Sequence, residues 1–320
     1  MEVLKWKIPE ELLLSPEVTN RDALAEKYQS ASIDKVLIDY HTLGMTELRE
    51  FYSRMFSILD IELKGIGVEL GAGVAAFSSF AITRCPKIQK IYAIELVPKV
   101  VALLQSKVVA AICGRDKDKV VCVNGSFDEI ALPDQCADFA IECDSFHHSN
   151  DLKRTLTEVD RVLKPAGVLL IVDRVNSDRL SDAQRQYMLA FEYSNEWKES
   201  YGYDTKVAIT RAMSGEHEYR YAEWREALES AGFAMERRLE FRRASYKRMI
   251  LGFIAFLPFS IRKRFNFFPM ISRFPRGEIF WQFSRLLNLR YRSMTFVELP
   301  EGEPGQRGVM AKTVLLCRKL

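Results

Sequence analysis

The sequence predicts an α/β fold built on a doubly wound parallel sheet, and three observations carry that prediction. Short apolar runs alternate with helix-length segments from about residue 66 to 240. The pattern Gly71-x-Gly73-x-x-Ala76 closes the first apolar run and opens the first helix. Glu95 ends the second run, at the sheet edge where such folds keep their ligand crevice.

The elements follow in order. IGVEL, after Glu62 and Lys64, is the first strand, and AAFSSFAITR has the length and pattern of a helix. IYAIEL (91–96) is a second strand, followed by VVALLQSKVVAAI (100–112) as a helix. VVCVNGS (120–126), ADFAIEC (137–143), the helical DLKRTLTEVDRVL (151–163) and VLLIVDR (168–174) continue the alternation. Strands and helices in turn imply right-handed crossovers. Helical patterns then take over: SDAQRQYMLAFEYSNEW starts at Ser181 as N-cap, and GEHEYRYAEWREALESAGF carries a helix ended by Gly232. RRLEF (237–241) and AKTVLLCRKL (311–320) read as the last two strands.

Composition bounds the function. With 320 residues, 48% of them hydrophobic, the chain can bury a sizeable interior. Six cysteines without a C-x-x-C pair read as reduced structural thiols rather than metal ligands, which points to the cytoplasm. The opening MEVLKWKIPEELLLSPEV breaks its apolar run with Pro9, Glu10 and Glu11, and no stretch approaches about 18 apolar residues, so neither a signal peptide nor a membrane span is expected.

The glycine loop alone does not say what it holds. Glycines let the backbone approach a ligand, helix amides point at it, and Glu95 can accept from ribose hydroxyls, whether the ligand is NAD or S-adenosylmethionine. Glu69 separates the two: a carboxylate repels a pyrophosphate but suits the cationic amino group of a methionine moiety. NGSFDEIALPDQCADFAIE adds a polar loop and acidic turn before the fourth strand. LTEVDRVLKPAGVLLIVDR adds a helix, a Lys164-Pro165-Ala166-Gly167 turn and a strand. With these features the sequence resembles the class I S-adenosylmethionine-dependent methyltransferases, small-molecule branch, over about 66–240.

The resemblance implies a seven-stranded, mostly parallel Rossmann-like sheet closed by an antiparallel last strand. It implies a helical lid segment over 1–60, a methyltransferase core over 61–241 and 309–320, and a basic, aromatic helical cap insertion over 242–308. It implies S-adenosylmethionine as cofactor, with S-adenosylhomocysteine as product. Glu69, Gly71 and Gly73 match the loop under methionine and ribose. Glu95 matches the ribose acid, with Leu96 beside the adenine. Ser126 and Phe127 fall where the family commonly has Asp and a small residue at the adenine edge, and Glu142 faces the methionine end.

His147, His148 and Asp144 follow the fourth strand at the substrate face. An imidazole there can act as general base, and it can equally pack or cap the helix beginning near Asp151. Arg174 at the end of the fifth strand is a candidate substrate contact, as are Tyr28, Tyr40 and His41 in the lead segment and His217 in GEHEYR. Ordinary packing explains each of them as well.

Residues 241–292 differ from the rest: 12 Lys or Arg stand against the single acid Glu278, with 13 aromatics. The chain's net charge of +3 therefore hides a charge dipole. A structural cap, a pocket for an anionic amphipathic acceptor that uses Arg262 and Arg264, and peripheral docking on an anionic membrane all remain open. Nucleic acid is the weakest reading, because no RNA-binding motif accompanies the charge. The expectation is a cytoplasmic methyltransferase acting on a small or lipid-like, anionic acceptor. The alternative is a non-catalytic S-adenosylmethionine-binding scaffold that docks on a membrane or partner.

Overall fold

The computed structural model describes residues 3–200, 203–242, 295–299 and 312–320. Four helices, α1 (Glu10–Leu13), α2 (Pro16–Tyr28), α3 (Ile33–His41) and α4 (Met45–Leu59), follow a short strand β1 (Val3–Lys5). The alternating region then runs β2 (Gly65–Leu70), α5 (Ala76–Arg84), β3 (Ile88–Glu95), α6 (Ser106–Cys113), β4 (Val120–Asn124), β5 (Ala137–Cys143), α7 (Leu152–Val162) and β6 (Leu163–Arg174). Helices α8 (Asp182–Leu189), α9 (Asn195–Ser200) and α10 (Tyr221–Ser230) precede β7 (Phe233–Arg242), β8 (Thr295–Glu298) and β9 (Lys312–Lys319).

These strands form one sheet in the order β1-β4-β3-β2-β5-β6-β9-β7-β8. The seven expected strands occupy its middle, with β9 antiparallel to both β6 and β7. The sheet has nine strands rather than seven because β1 pairs along β4 at one edge and β8 along β7 at the other. β8 lies within the stretch expected to be insertion. Its residue Thr295 pairs with Arg242, so the described chain on either side of 243–294 meets at the carboxyl-end edge of the sheet. The segment expected as a helical cap, with Arg262 and Arg264, lies outside the described residues.

Side-chain alternation along the strands decides what reaches the ligand edge. Val68 and Leu70 on β2, Ala140 on β5, and Leu169 and Ile171 on β6 pack on one face with α7 and α10. Ile141 on β5, and Leu170 and Val172 on β6, pack on the opposite face with α4, α5 and α6. α7 shows the sequence cause: Leu152, Thr155, Leu156, Val159 and Val162 recur at three- and four-residue spacing and are buried, while Asp151 caps its start by accepting from the Arg154 N–H at 3.0 Å. Each buried Leu or Val there contributes roughly 1.5–3 kcal/mol. The helical stretch expected over 100–112 is wound more widely over Val100–Gln105 before α6 begins.

Candidate active site

A cavity of about 550 Å³ opens at the carboxyl ends of the parallel strands, within the size range of small-molecule sites. Gly71, Gly73, Glu95, Leu96, Ser126 and Phe127 line one half; Asp144, His147, His148, Arg174 and Lys312 line the other. Tyr40 and His41 from α3 cover it from the lead segment.

The first half is built mainly from backbone. Gly71 (φ 60°) and Gly73 (φ 50°) adopt left-handed conformations, and a Cβ on Gly71 would lie 2.3 Å from the Cβ of Ser145. The Gly73 and Val97 amides donate to the two oxygens of Glu95 at 2.8 and 2.9 Å, which fixes the carboxylate at the end of β3. The Asn124 carboxamide donates to the carbonyls of Glu95 and Leu96 and holds the turn after that strand. Phe127 meets Phe146 edge-on, with ring centroids 5.8 Å apart.

The second half is a network of side chains. His147 Nδ1 lies 2.6 Å from Asp173 Oδ1, and the His147 amide donates to Oδ2 at 3.0 Å. Burial, followed by the charge of Arg174, holds the imidazole well below its ordinary pKa, so it is neutral at pH 7. Behind it, burial pushes both Asp173 and Glu142 up, and the nearby charge of Asp173 raises Glu142 further. Each accepts from two backbone amides, but Asp173 also holds His147 Nδ1 and has the Arg174 charge beside it, so we assign the anion to Asp173 and the proton to Glu142. That assignment keeps hydrogen on Nδ1 of His147 and leaves Nε2 as the acceptor, 4.0 Å from Glu216 Oε2.

Glu216 bonds to Arg174 and, at 3.0 Å, to Arg211. Burial would raise its carboxyl, but the guanidiniums of Arg174 and Arg211 outweigh burial and hold it far below the carboxylate range. Lys312, the first residue of β9, pairs with Asp144, which sits at φ 55° just past β5. Burial depresses Lys312, yet Asp144 and Cys143 raise it further, so it stays charged. Burial, together with the charge of Lys312, pushes His41 down to about 4, and neither ring nitrogen has a hydrogen-bond partner among the described residues.

Residues 68–171 match the family model described as a methyltransferase domain. That stretch of the chain is similar to a methyltransferase domain. Over 55 residues it is 44% identical to a glycine/sarcosine/dimethylglycine N-methyltransferase of Actinopolyspora halophila; that match covers 17% of this chain and one tenth of the relative's length. Among solved structures, the YcgJ protein of Bacillus subtilis is 17% identical, with 84% of this chain and 98% of that one covered and a TM-score of 0.47. A SAM-dependent methyltransferase of Aquifex aeolicus is 18% identical over 68% of this chain and 90% of its own, with a TM-score of 0.43.

The sheet order and the match over 68–171 resemble the class I, Rossmann-like methyltransferases, and S-adenosylmethionine is the cofactor that this likeness implies. The residues present fit that group. The Glu95 carboxylate lines the cavity at the end of β3, where a carboxylate can accept from ribose hydroxyls, and the left-handed glycines bring bare backbone to the same wall. Ser126, Phe127 and Leu96 stand beside Glu95, where the adenine would lie.

Two acids expected at the cofactor are placed differently. Glu69 alternates with Val68 and Leu70, so it points to the α5 face; it accepts from the Ser78 amide at 2.9 Å and from the Ser78 hydroxyl, and it does not line the cavity. Burial there pushes its carboxyl up to about 7. Glu142 is fully buried beneath the loop after β5, where it accepts from the Ser145 and Phe146 amides at 2.5 and 3.2 Å. Tyr28 packs edge-on against Tyr40 and His217 bonds Asn150 at 3.2 Å; neither lines the cavity.

Asp173, Arg211, Glu216 and Lys312 were not singled out by sequence. The signal for Asp173 was present, since an acid ending the buried run VLLIVD needs a partner just as Glu95 does.

Proposed function

We propose that this chain transfers a methyl group from S-adenosylmethionine to a small-molecule acceptor bearing an anionic group. The observation that carries the reading is the division of one cavity into a backbone-built half fitted to the cofactor and a half where neutral His147 stands beside two arginines. When bound, the cofactor supplies an electrophilic methyl on a sulfonium. Gly71, Gly73 and Glu95 hold its methionine and ribose portions, and Leu96, Ser126 and Phe127 flank its adenine.

The acceptor enters the half formed by β5, β6 and β9. His147 Nε2 takes the proton from the acceptor's nucleophile, Asp173 holds Nδ1–H and so orients the ring, and His41 offers a further hydrogen bond. A positioned base contributes about 10²- to 10⁴-fold, whereas alignment of the two reactants supplies roughly 7–11 kcal/mol. Positioning is therefore the larger part of the work. The partial relative named for glycine, sarcosine and dimethylglycine supports a small acceptor. Six unpaired cysteines support a reducing, cytoplasmic setting. Among the described residues no helix is long and apolar enough to cross a membrane. Contact of the basic segment with an anionic surface remains compatible with the reading.

The test is incubation with methyl-labelled S-adenosylmethionine and fractionated host metabolites and lipids. Label in a small acidic compound is expected. Tight binding of S-adenosylhomocysteine with no label in any fraction would favour the scaffold reading instead.

A further inference from the structure

The segment between α9 and α10 holds a carboxylate where a ligand's carboxylate would be expected. Glu216 faces the cavity, and its Oε2 receives both the Arg174 and the Arg211 guanidinium while lying 4.0 Å from His147 Nε2. The two arginines are not equivalent. Arg211 has a second carboxylate, Glu218 Oε1 at 2.5 Å, and Glu218 is itself held by Asn176 at 2.8 Å. Among the described residues the Arg174 side chain hydrogen-bonds to Glu216 alone, so withdrawing that carboxylate would strand a largely buried guanidinium. Only another anion can take its place without that penalty.

We propose that Arg174 and Arg211 form the acceptor's carboxylate site, and that Glu216 is an internal carboxylate occupying it until the acceptor arrives. The proposal rests on the methyl-transfer reading and names its substrate class. The exchange puts a ligand carboxylate on the guanidiniums in place of Glu216, so Arg174 keeps an anionic partner throughout. It needs only side-chain rotation: the Glu216 amide is tied to the Arg211 carbonyl at 3.1 Å and the His217 amide to the His147 carbonyl at 2.9 Å, which anchors the backbone on both sides.

The same distances bound the acceptor. A nucleophile hydrogen-bonded to Nε2 lies about 3 Å from it. An anion oxygen in place of Oε2 lies 4.0 Å from that nitrogen. The two acceptor atoms are therefore no more than ~7 Å apart, adding that hydrogen-bond length to the measured separation. An amino acid, hydroxy acid or acidic sugar meets this limit. A lipid whose nucleophile lies far from its charged group does not.

The experiment titrates glycolate, neutral glycolamide and inorganic phosphate into the full chain by calorimetry, in the presence of S-adenosylhomocysteine. Wild type, Glu216→Gln, Glu216→Ala and the double variant Glu216→Gln/Arg174→Gln are compared. Emptying the clamp should tighten glycolate binding by about 10- to 150-fold, the worth of a charge-assisted hydrogen bond. Glycolamide should show no gain, and the double variant should lose it. If the single variants do not fold alone, glycolate should restore their melting transition. Equal glycolate affinity in wild type and both folded single variants, or no rescue of unfolded ones, overturns the proposal. A preference for phosphate over glycolate overturns the carboxylate assignment. Since no turnover is read, failure here leaves the methyl-transfer reading standing, and failed label transfer does not decide these titrations.

Discussion

The two halves of the cavity are made in different ways. On the β2–β3–β4 side a short stretch of sequence supplies almost everything: left-handed glycines, an acid at a strand end, and amides 2 to 22 residues away that fix it. On the β5–β6–β9 side the functional groups depend on partners farther along the chain: His147 on Asp173, 26 residues apart, Arg174 on Glu216, 42 apart, and Asp144 on Lys312, 168 apart. A backbone-built site tolerates much sequence change and suits a ligand common to many proteins. A site made of long-range side-chain pairs is where one enzyme can differ from the next.

The largest expected effect strikes the side-chain half alone. Asp173→Asn removes the anion that holds hydrogen on His147 Nδ1, and kcat should fall by about 10²- to 10⁴-fold. Steady-state rates on the acceptor found by label transfer check this, and an unchanged kcat would remove His147 from the reaction.

Next comes Glu69, an acid of the cofactor side that faces away from the ligand. Its carboxyl is raised from 4.5 to about 7, so folding takes up a proton there; its stabilisation is complete below pH 4.5 and is lost as pH rises to about 7. The loss amounts to about 3 kcal/mol at 1.36 kcal/mol per unit. Urea unfolding at pH 5 and pH 8 should show Glu69→Gln gaining by about that much relative to wild type between the two conditions. If the difference is independent of pH, the carboxyl is not protonated in the fold.

Glu142→Gln should be much milder than Asp173→Asn, within about threefold in rate, because an uncharged amide replaces a carboxyl that burial and the charge of Asp173 already favour as neutral. Rates that fall as far as in Asp173→Asn would mean that the charge sits on Glu142. The smallest effect is an absence: with His147 held well below its usual pKa, the kcat profile should show no acid limb near pH 6.5. A limb at that pH would show an ordinary, solvated imidazole.

The same contrast explains how much the sequence disclosed. The central seven strands were legible because each is a buried apolar run bounded by turn residues, and the glycine loop and Glu95 because their partners are local. β1 escaped because Val3–Lys5 is only three residues long and carries a lysine; its neighbour Trp6 packs on Gly125, a contact no local pattern announces. Glu69 was misplaced because the motif was read without the alternation that puts Val68 and Leu70 on the other face. Arg211, Glu216 and Lys312 acquire meaning only when β6, β9 and the segment before α10 converge, and nothing within a few residues of any of them signals that.

The central claim is that the two halves act separately, one holding the cofactor and the other the acceptor. Calorimetric titration of S-adenosylhomocysteine into wild type, Glu95→Ala and Asp173→Asn tests it without knowledge of the acceptor. Glu95→Ala should weaken binding by about 10- to 150-fold, the cost of a charge-assisted hydrogen bond of roughly 1.5–3 kcal/mol, while Asp173→Asn should bind as wild type does. Undiminished binding by Glu95→Ala, or an equal loss in Asp173→Asn, would contradict the division.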